Sequence, residues 1–177
     1  GVKDVSAITI HGFDGVSYFN KVGGANNTLI QQGPIKVDKE IDAVFLNCAG
    51  AAELEDHAGK RHIRIDKEGS NSAVVWNPWI ERSKNLPGYE PTSYQTMVCI
   101  ETCNALADGR DVAPGGTHAL KANILVGPHT FQHVCHAFVV ERLHILVLVA
   151  AYVAEMHEKD LVLVAEMPNG GGQVIGH

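Results

Sequence analysis

The sequence is short of positive charge. Its 177 residues carry 14 lysines and arginines against 20 aspartates and glutamates, a formal net charge of −6, and no long basic run. Proteins that bind nucleic acids usually present a basic face to the phosphates, so nucleic acid is not expected as a partner. The 45% hydrophobic and 19% charged residues are typical of a soluble globular chain of one ordinary domain's length.

The N-terminus lacks the basic and apolar segments of a secretory signal. The four cysteines are Cys48, Cys99, Cys103 and Cys135. Three of them lie in apolar runs, which favours buried thiols in a reduced, cytoplasmic setting. The uncharged stretch 145–154 is too short to span a bilayer, so a membrane partner is not expected.

Motifs typical of zinc sites are also missing. His129, His133, Cys135, His136 and His144 fall within 16 residues, and the first two would share a helix face at a spacing of four. Zinc accepts such ligands, but neither HExxH nor paired CxxC motifs occur in the chain. The better interpretation is an amphipathic segment with incidental histidines, so no metal is expected.

Residues 1–126 have the pattern of β structure. Alternating residues or short apolar runs, both typical of strands, occur at 5–10, 43–47, 62–66, 73–76, 96–101 and 118–126. Segments rich in turn-forming residues separate them, the longest over 49–60. Strands at this spacing predict a mainly β chain, folded as an antiparallel sandwich or barrel.

The chain changes character near Gly127, where it becomes more hydrophobic and has few helix-breaking residues. Residues 130–158 could form one buried helix, or the repeated LVLVA at 146–150 and 161–165 could form two strands. We therefore separate a β-sandwich region, 1–126, from a hydrophobic extension with a flexible C-terminus, 127–177. An incomplete sandwich needs cover for its edge strands, which the extension could supply within one chain or by forming a homo-oligomer.

Several motifs then occur in a fixed order. They are ITIHGFDGVSYFNKV (8–22), KEIDAVFLN (39–47), VVWNPWIERSK (74–84), YQTMVCIET (94–102) and PGGTHAL (114–120). In order and spacing they resemble the hexose-6-phosphate mutarotases, also called glucose-6-phosphate 1-epimerases, of the galactose-mutarotase-like superfamily. The resemblance covers about residues 2–126 and implies the C-terminal part of a large antiparallel β-sandwich with a sugar-phosphate cleft on one sheet. The family's N-terminal half, with its phosphate-binding arginines and catalytic histidine, has no counterpart among these motifs.

The resemblance implies interconversion of the α and β anomers of an aldose 6-phosphate such as glucose-6-phosphate. Ring opening needs a base for the C1 hydroxyl proton and an acid for the ring oxygen, and it needs no cofactor. Glu101 matches the family's catalytic glutamate, which implies the role of general base. In a strand over 96–101, Met97, Cys99 and Glu101 would share one face. From spacing alone, a solvated glutamate at a strand end is the ordinary interpretation.

Asp42 matches the family aspartate that contacts sugar hydroxyls, since a carboxylate can accept hydrogen bonds from two hydroxyls. Ala43 follows it where the family usually has arginine, so a local ion pair is lost. The ordinary alternative is a turn aspartate before a strand.

Trp76 and Trp79 flank an Asn-Pro pair and could form a platform for one face of a sugar, or they could cap the core. Arg82 and Lys84 follow; they could attract a phosphate, although solvated surface charges are the simpler interpretation.

The sequence motifs offer no candidate for the general acid. His11 and His118 align with other parts of the motifs and do not inherit the role. A noncatalytic carbohydrate-binding or structural remnant of the family is therefore the alternative, favoured by the missing histidine and arginines.

Overall fold

The computed structural model of the chain describes residues 1–25 and 27–128. These residues form nine strands and one α-helix. The elements are β1 (Ile8–His11), β2 (Ser17–Asn20), β3 (Asn27–Ile30), β4 (Ile41–Leu46), β5 (Ala52–Asp56), β6 (Arg61–Glu68), β7 (Ser72–Asn77), α1 (Trp79–Lys84), β8 (Cys99–Cys103) and β9 (Lys121–Pro128).

The strands form two antiparallel sheets. The four-stranded sheet has the order β1-β5-β6-β9, and the five-stranded sheet has the order β3-β2-β4-β7-β8. One hydrophobic core contains side chains from both sheets. The predicted mainly β, antiparallel sandwich is therefore confirmed.

Phe45 of β4 lies at the centre of the core, 1% exposed, with its ring 4.3 Å from that of Phe13 and 5.0 Å from that of Tyr18. Side chains alternate along a strand, so the residues beside Phe45 point to the opposite face of the sheet. We call that opposite side the outer face of the five-stranded sheet; it carries Asp42, Val44, Val74, Trp76, Cys99 and Glu101.

Two strands, β1 and β9, begin about three residues later than predicted. Val5–Ala7 form a 3-10 turn capped by the Asp4 carboxylate, which accepts from the Ser6 amide, so β1 begins only at Ile8. At the C-terminal side, β9 begins at Lys121 rather than at residue 118.

The strand predicted over 96–101 is also shifted. Residues Ser93–Thr96 form a 3-10 turn, and β8 runs from Cys99 to Cys103. The carbonyl of Met97 accepts a hydrogen bond from the Asn77 side chain at 2.8 Å, so Met97 precedes the ladder. Cys99 and Glu101 still share one face of β8, as expected.

Strand β5 lies in a segment that the sequence marks as a turn. Its residues alternate between the core side and the outside, with Ala52, Leu54 and Asp56 buried. The Asp56 carboxylate accepts from the Gly59 amide and from Arg61, which satisfies a charge that the core would otherwise exclude. Alanine and acidic residues are poor strand formers, so pairing with β1 and β6 decides this structure.

Four other predictions can be compared in part. Cys48 is a buried free thiol, while Cys99 and Cys103 are free and half-buried; Cys135 lies outside the described residues. Within the described ranges, no helix is long and apolar enough to cross a membrane. The same ranges contain no group of three potential metal ligands, and the histidine cluster at 129–144 lies outside them. The predictions for the extension also fall outside, apart from Gly127 and Pro128, which complete β9.

Candidate functional site

Strand register brings three of the predicted site residues, Asp42, Trp76 and Glu101, to one surface. In the paired strands β4, β7 and β8, Asp42 lies opposite Trp76, which lies opposite Cys99. The neighbouring row runs from Val44 through Val74 to Glu101. Paired residues of antiparallel strands point to the same side, so Asp42 and Glu101 share the outer face of the five-stranded sheet.

On this face, Glu101 has a carboxyl group with a raised pKa. Burial raises the pKa of its half-buried carboxyl group above the ordinary glutamate value, and the negative charge of Asp42 raises it further. A hydrogen bond with Cys99 and the positive charge of Lys21 act in the opposite direction. A carboxylate with a raised pKa is a stronger base than an ordinary glutamate, as removal of a sugar hydroxyl proton requires.

Cys99 lies two residues before Glu101 on the same face. Burial, followed by the negative charge of Glu101, raises the pKa of its thiol to about 12. The thiol is therefore protonated at neutral pH and serves as a hydrogen-bond donor to Glu101 rather than as a nucleophile.

Lys21 is a residue of this site to which the sequence motifs gave no role. Its amide donates to the Asp42 carbonyl at 2.8 Å and continues the ladder beyond the pair of Asn20 with Ala43. Lys21 therefore lies opposite Asp42, at the border of the outer face. Its place in the FNKV segment was visible in the sequence, but its approach to Glu101 depends on the pairing of β2 with β4.

Asp42 is 7% exposed and has a partner that the sequence did not assign. Nη1 of Arg82 lies 3.4 Å from Oδ2 of Asp42 and 3.2 Å from Oε1 of Glu40. Arg82 comes from α1, forty residues along the chain. The ion pair that Ala43 cannot make is thus supplied by a residue of another element.

Asn77 fixes the turn that carries α1. Its side chain is fully buried; Nδ2 donates to the carbonyls of Tyr94 and Met97 at 2.9 and 2.8 Å, and Oδ1 accepts from the Trp79 amide at 2.8 Å. Pro78 follows with no amide hydrogen of its own, so the asparagine side chain supplies the bonds that the ladder no longer makes. This turn joins the end of β7 to the segment before β8.

The two tryptophans have different surroundings. Trp76 lies on the outer face between Asp42 and Cys99. Trp79 packs against the core and makes an edge contact with Tyr94, with ring centroids 5.3 Å apart. It lines an open cavity of about 470 Å³ together with residues 3–6 and 94–96. The structure therefore does not join the two rings in one platform.

The two histidines without a catalytic assignment lie in other surroundings. His11 belongs to the four-stranded sheet, with Nε2 3.7 Å from Oε2 of Glu55. Nε2 of His118 lies 2.8 Å from Oδ1 of Asn104. The strands of the five-stranded sheet contain no histidine in the described part of the chain.

Comparisons with known proteins find relatives that are named as sugar epimerases. The chain is 29% identical over 100 residues to a protein of Cenchrus ciliaris named "putative glucose-6-phosphate 1-epimerase", covering 56% of this chain and 30% of that one. A protein of the same name from Escherichia coli (strain K12) is 27% identical over 104 residues, covering 59% of this chain and 35% of that one. The chain thus spans about a third of the length of these relatives.

The fold has a solved counterpart. A crystal structure of a "putative mutarotase" from Salmonella typhimurium superposes with a TM-score of 0.62 at 22% identity, over 72% of this chain and 42% of that one. A sequence model of the family described as aldose 1-epimerase matches residues 4–124, more than half of the chain. The chain belongs to the aldose 1-epimerase family.

Proposed function

We propose that the chain takes part in sugar mutarotation as an epimerase, with Glu101 as the general base and Asp42 as an anchor for sugar hydroxyls. The observation that carries the proposal is the half-buried Glu101 carboxyl, on the same face as Asp42 and with a raised pKa. Family membership supports the proposed reaction type, the interconversion of the two anomers of an aldose.

The chemistry needs one proton removed and one delivered. The Glu101 carboxylate takes the proton of the C1 hydroxyl, the C1–ring oxygen bond breaks as the C1 carbonyl forms, and an acid protonates the ring oxygen. Rotation about the C1–C2 bond and closure by the reverse steps then yield the other anomer. In this proposal, Glu101 on the outer face is the base for these reaction steps, and we assign the acid to none of the described residues of that face.

The proposed substrate is an aldose 6-phosphate, with glucose-6-phosphate as the first candidate. The relatives' names support this choice. Lys21 also brings a positive charge to the border of the outer face. Trp76, exposed in part between Asp42 and Cys99, supplies an apolar surface for a pyranose ring.

Magnetisation-transfer NMR of the anomeric protons tests the proposal directly. We expect the protein to accelerate anomer exchange of glucose-6-phosphate, and the Glu101→Gln variant to lose that acceleration. A folded wild-type protein with no acceleration above buffer would contradict the catalytic role.

A noncatalytic carbohydrate-binding function is the second candidate. It is favoured by the absence of histidine from the strands of the five-stranded sheet in the described residues. Titration of the protein with glucose-6-phosphate, followed by amide chemical shifts, separates the two. Saturable shifts around Asp42 without accelerated exchange would support binding alone.

A further inference from the structure

Arg82 is the side chain that holds Asp42 from outside its own sheet. Its Nη1 lies between two carboxylate oxygens, 3.4 Å from Asp42 and 3.2 Å from Glu40. The Asp42 side chain is 10% exposed, while that of Arg82 is 41% exposed. A buried carboxylate is costly unless it is paired, so the arginine makes the burial of Asp42 tolerable.

The backbone defines where this arginine can reach. Asn77 pairs with Ile41 at the end of the β4–β7 ladder, and its side chain fixes the turn into α1. Arg82 is the fourth residue of that helix. Glu40 lies directly before β4 and Asp42 is the second residue of that strand, and the carboxylates of both contact Arg82.

The contacts favour a role through Asp42 over direct binding of a phosphate. Two carboxylates share the charge of Arg82, which lowers the attraction that it can exert on a third anion. An arginine held in this way restricts the rotamers of the aspartate it contacts, and thus the direction of the acceptor lone pairs offered to a sugar.

We propose that Arg82 is a positioning residue that fixes the orientation of the Asp42 carboxylate for sugar hydroxyls, without contacting the phosphate. The proposal rests on the proposed function of Asp42 as a sugar anchor. Arg82 thereby supplies the ion pair with Asp42 that Ala43, the next residue along the chain, cannot make.

The first test compares Arg82→Ala, Arg82→Lys and the matched control Lys84→Ala in the full chain. Lys84 lies on the same helix and pairs with Glu81 at 2.7 Å. We expect Arg82→Ala to raise the KM for anomer exchange about fivefold with little change in kcat, since it weakens an oriented charged hydrogen-bond acceptor. Because a single nitrogen makes both contacts, Arg82→Lys should recover most of the loss, and Lys84→Ala should cause none.

The substrate separates positioning from phosphate binding. If Arg82 acts through Asp42, the Arg82→Ala loss is the same for glucose and for glucose-6-phosphate. A loss confined to glucose-6-phosphate would overturn the proposal. So would an equal loss from Arg82→Ala in the Asp42→Asn background, where we expect less than a twofold further change.

A stability measurement keeps the inference testable if the proposed function fails. A double-mutant cycle of Arg82→Ala and Asp42→Asn in urea unfolding is expected to show coupling of about threefold in the unfolding equilibrium constant. If the wild type neither turns over nor binds either sugar, the proposed function fails, while coupling at this level still shows that Arg82 holds Asp42. Coupling below about 1.5-fold, within the scatter of additivity, would overturn the positioning role itself.

Discussion

The two sheets have outer faces of opposite character. On the four-stranded sheet, charged side chains neutralise one another across and along strands: Arg64 of β6 lies 2.5 Å from Glu53 of β5 and 2.7 Å from Asp66 of its own strand. On the five-stranded sheet, the outer face is largely apolar, and its acids are partly or wholly buried. Both sheets alternate inside and outside residues in the same way, so strand periodicity does not distinguish them.

The difference lies in what each carboxylate is exposed to. Glu53 has 37% of its side chain exposed and contacts both an arginine and His62. Glu101 is half-buried beside another acid, and its pKa is raised by that environment. Solvated ion pairs, such as those of the four-stranded sheet, contribute little to stability or reactivity, whereas a buried carboxylate with an altered pKa marks a candidate site.

The largest expected effect is the loss of anomer exchange when the Glu101 charge is removed, compared with removal of one carboxylate charge on the four-stranded sheet. Glu101→Gln should lower the rate of anomer exchange at least about 100-fold, because general base catalysis is lost. Glu53→Gln removes the same charge on the four-stranded sheet and should leave the rate within about twofold of wild type. Magnetisation transfer measures both, and similar losses in the two variants would erase the distinction between the faces.

A smaller effect is expected for sugar affinity. Asp42→Asn should weaken binding of glucose-6-phosphate about tenfold, because a charged acceptor becomes a neutral one. Asp66→Asn is its control on the other sheet, where the acid pairs with Arg64. Chemical-shift titration gives both dissociation constants. Unchanged affinity in the Asp42 variant would show that this acid does not anchor the sugar.

The pH profile of exchange sharpens the comparison further. A base must be deprotonated, so kcat/KM should fall as the pH falls through the pKa of Glu101, at a higher pH than for an ordinary glutamate. Lys21→Ala removes a charge that lowers this pKa and should move the acid limb to higher pH. Asp42→Asn removes a charge that raises it and should move the limb to lower pH.

The control for this profile comes from the four-stranded sheet. Lys121 pairs with Glu68 at 2.8 Å on that sheet, and Lys121→Ala should leave the limb where it is in wild type. A limb that ignores Lys21 and Asp42, or that moves equally with Lys121, would mean that another group titrates.

The smallest effect is expected when the ion pairs on the outer face of the four-stranded sheet are removed. Arg64→Ala should lower the free energy of unfolding by about 1 kcal/mol or less, since its partners remain solvated. Anomer exchange should not change. Urea unfolding measures the loss, and a loss above about 2 kcal/mol would show that this face is more than a solvated surface.

Apolar residues that recur in strand-length segments predicted an antiparallel sandwich or barrel, and the family resemblance implied the sandwich. The sequence also placed Cys99 and Glu101 on one face, which the structure confirms even though β8 begins later than predicted. It missed β5, because alanine and acidic residues do not favour strands until neighbouring strands pair with them. It could not separate Trp76 from Trp79, since their surroundings depend on the turn held by Asn77.

Local pattern therefore determined the fold class and the residues that line one strand face. The tertiary structure decided which face buries its acids, and which cations approach them. Lys21 reaches Asp42 through the pairing of β2 with β4, and Arg82 reaches it from a helix forty residues away. Such contacts join distant parts of the chain, and neither period nor composition contains them. The charged groups that surround Asp42 and Glu101 come together only once the sheet is assembled.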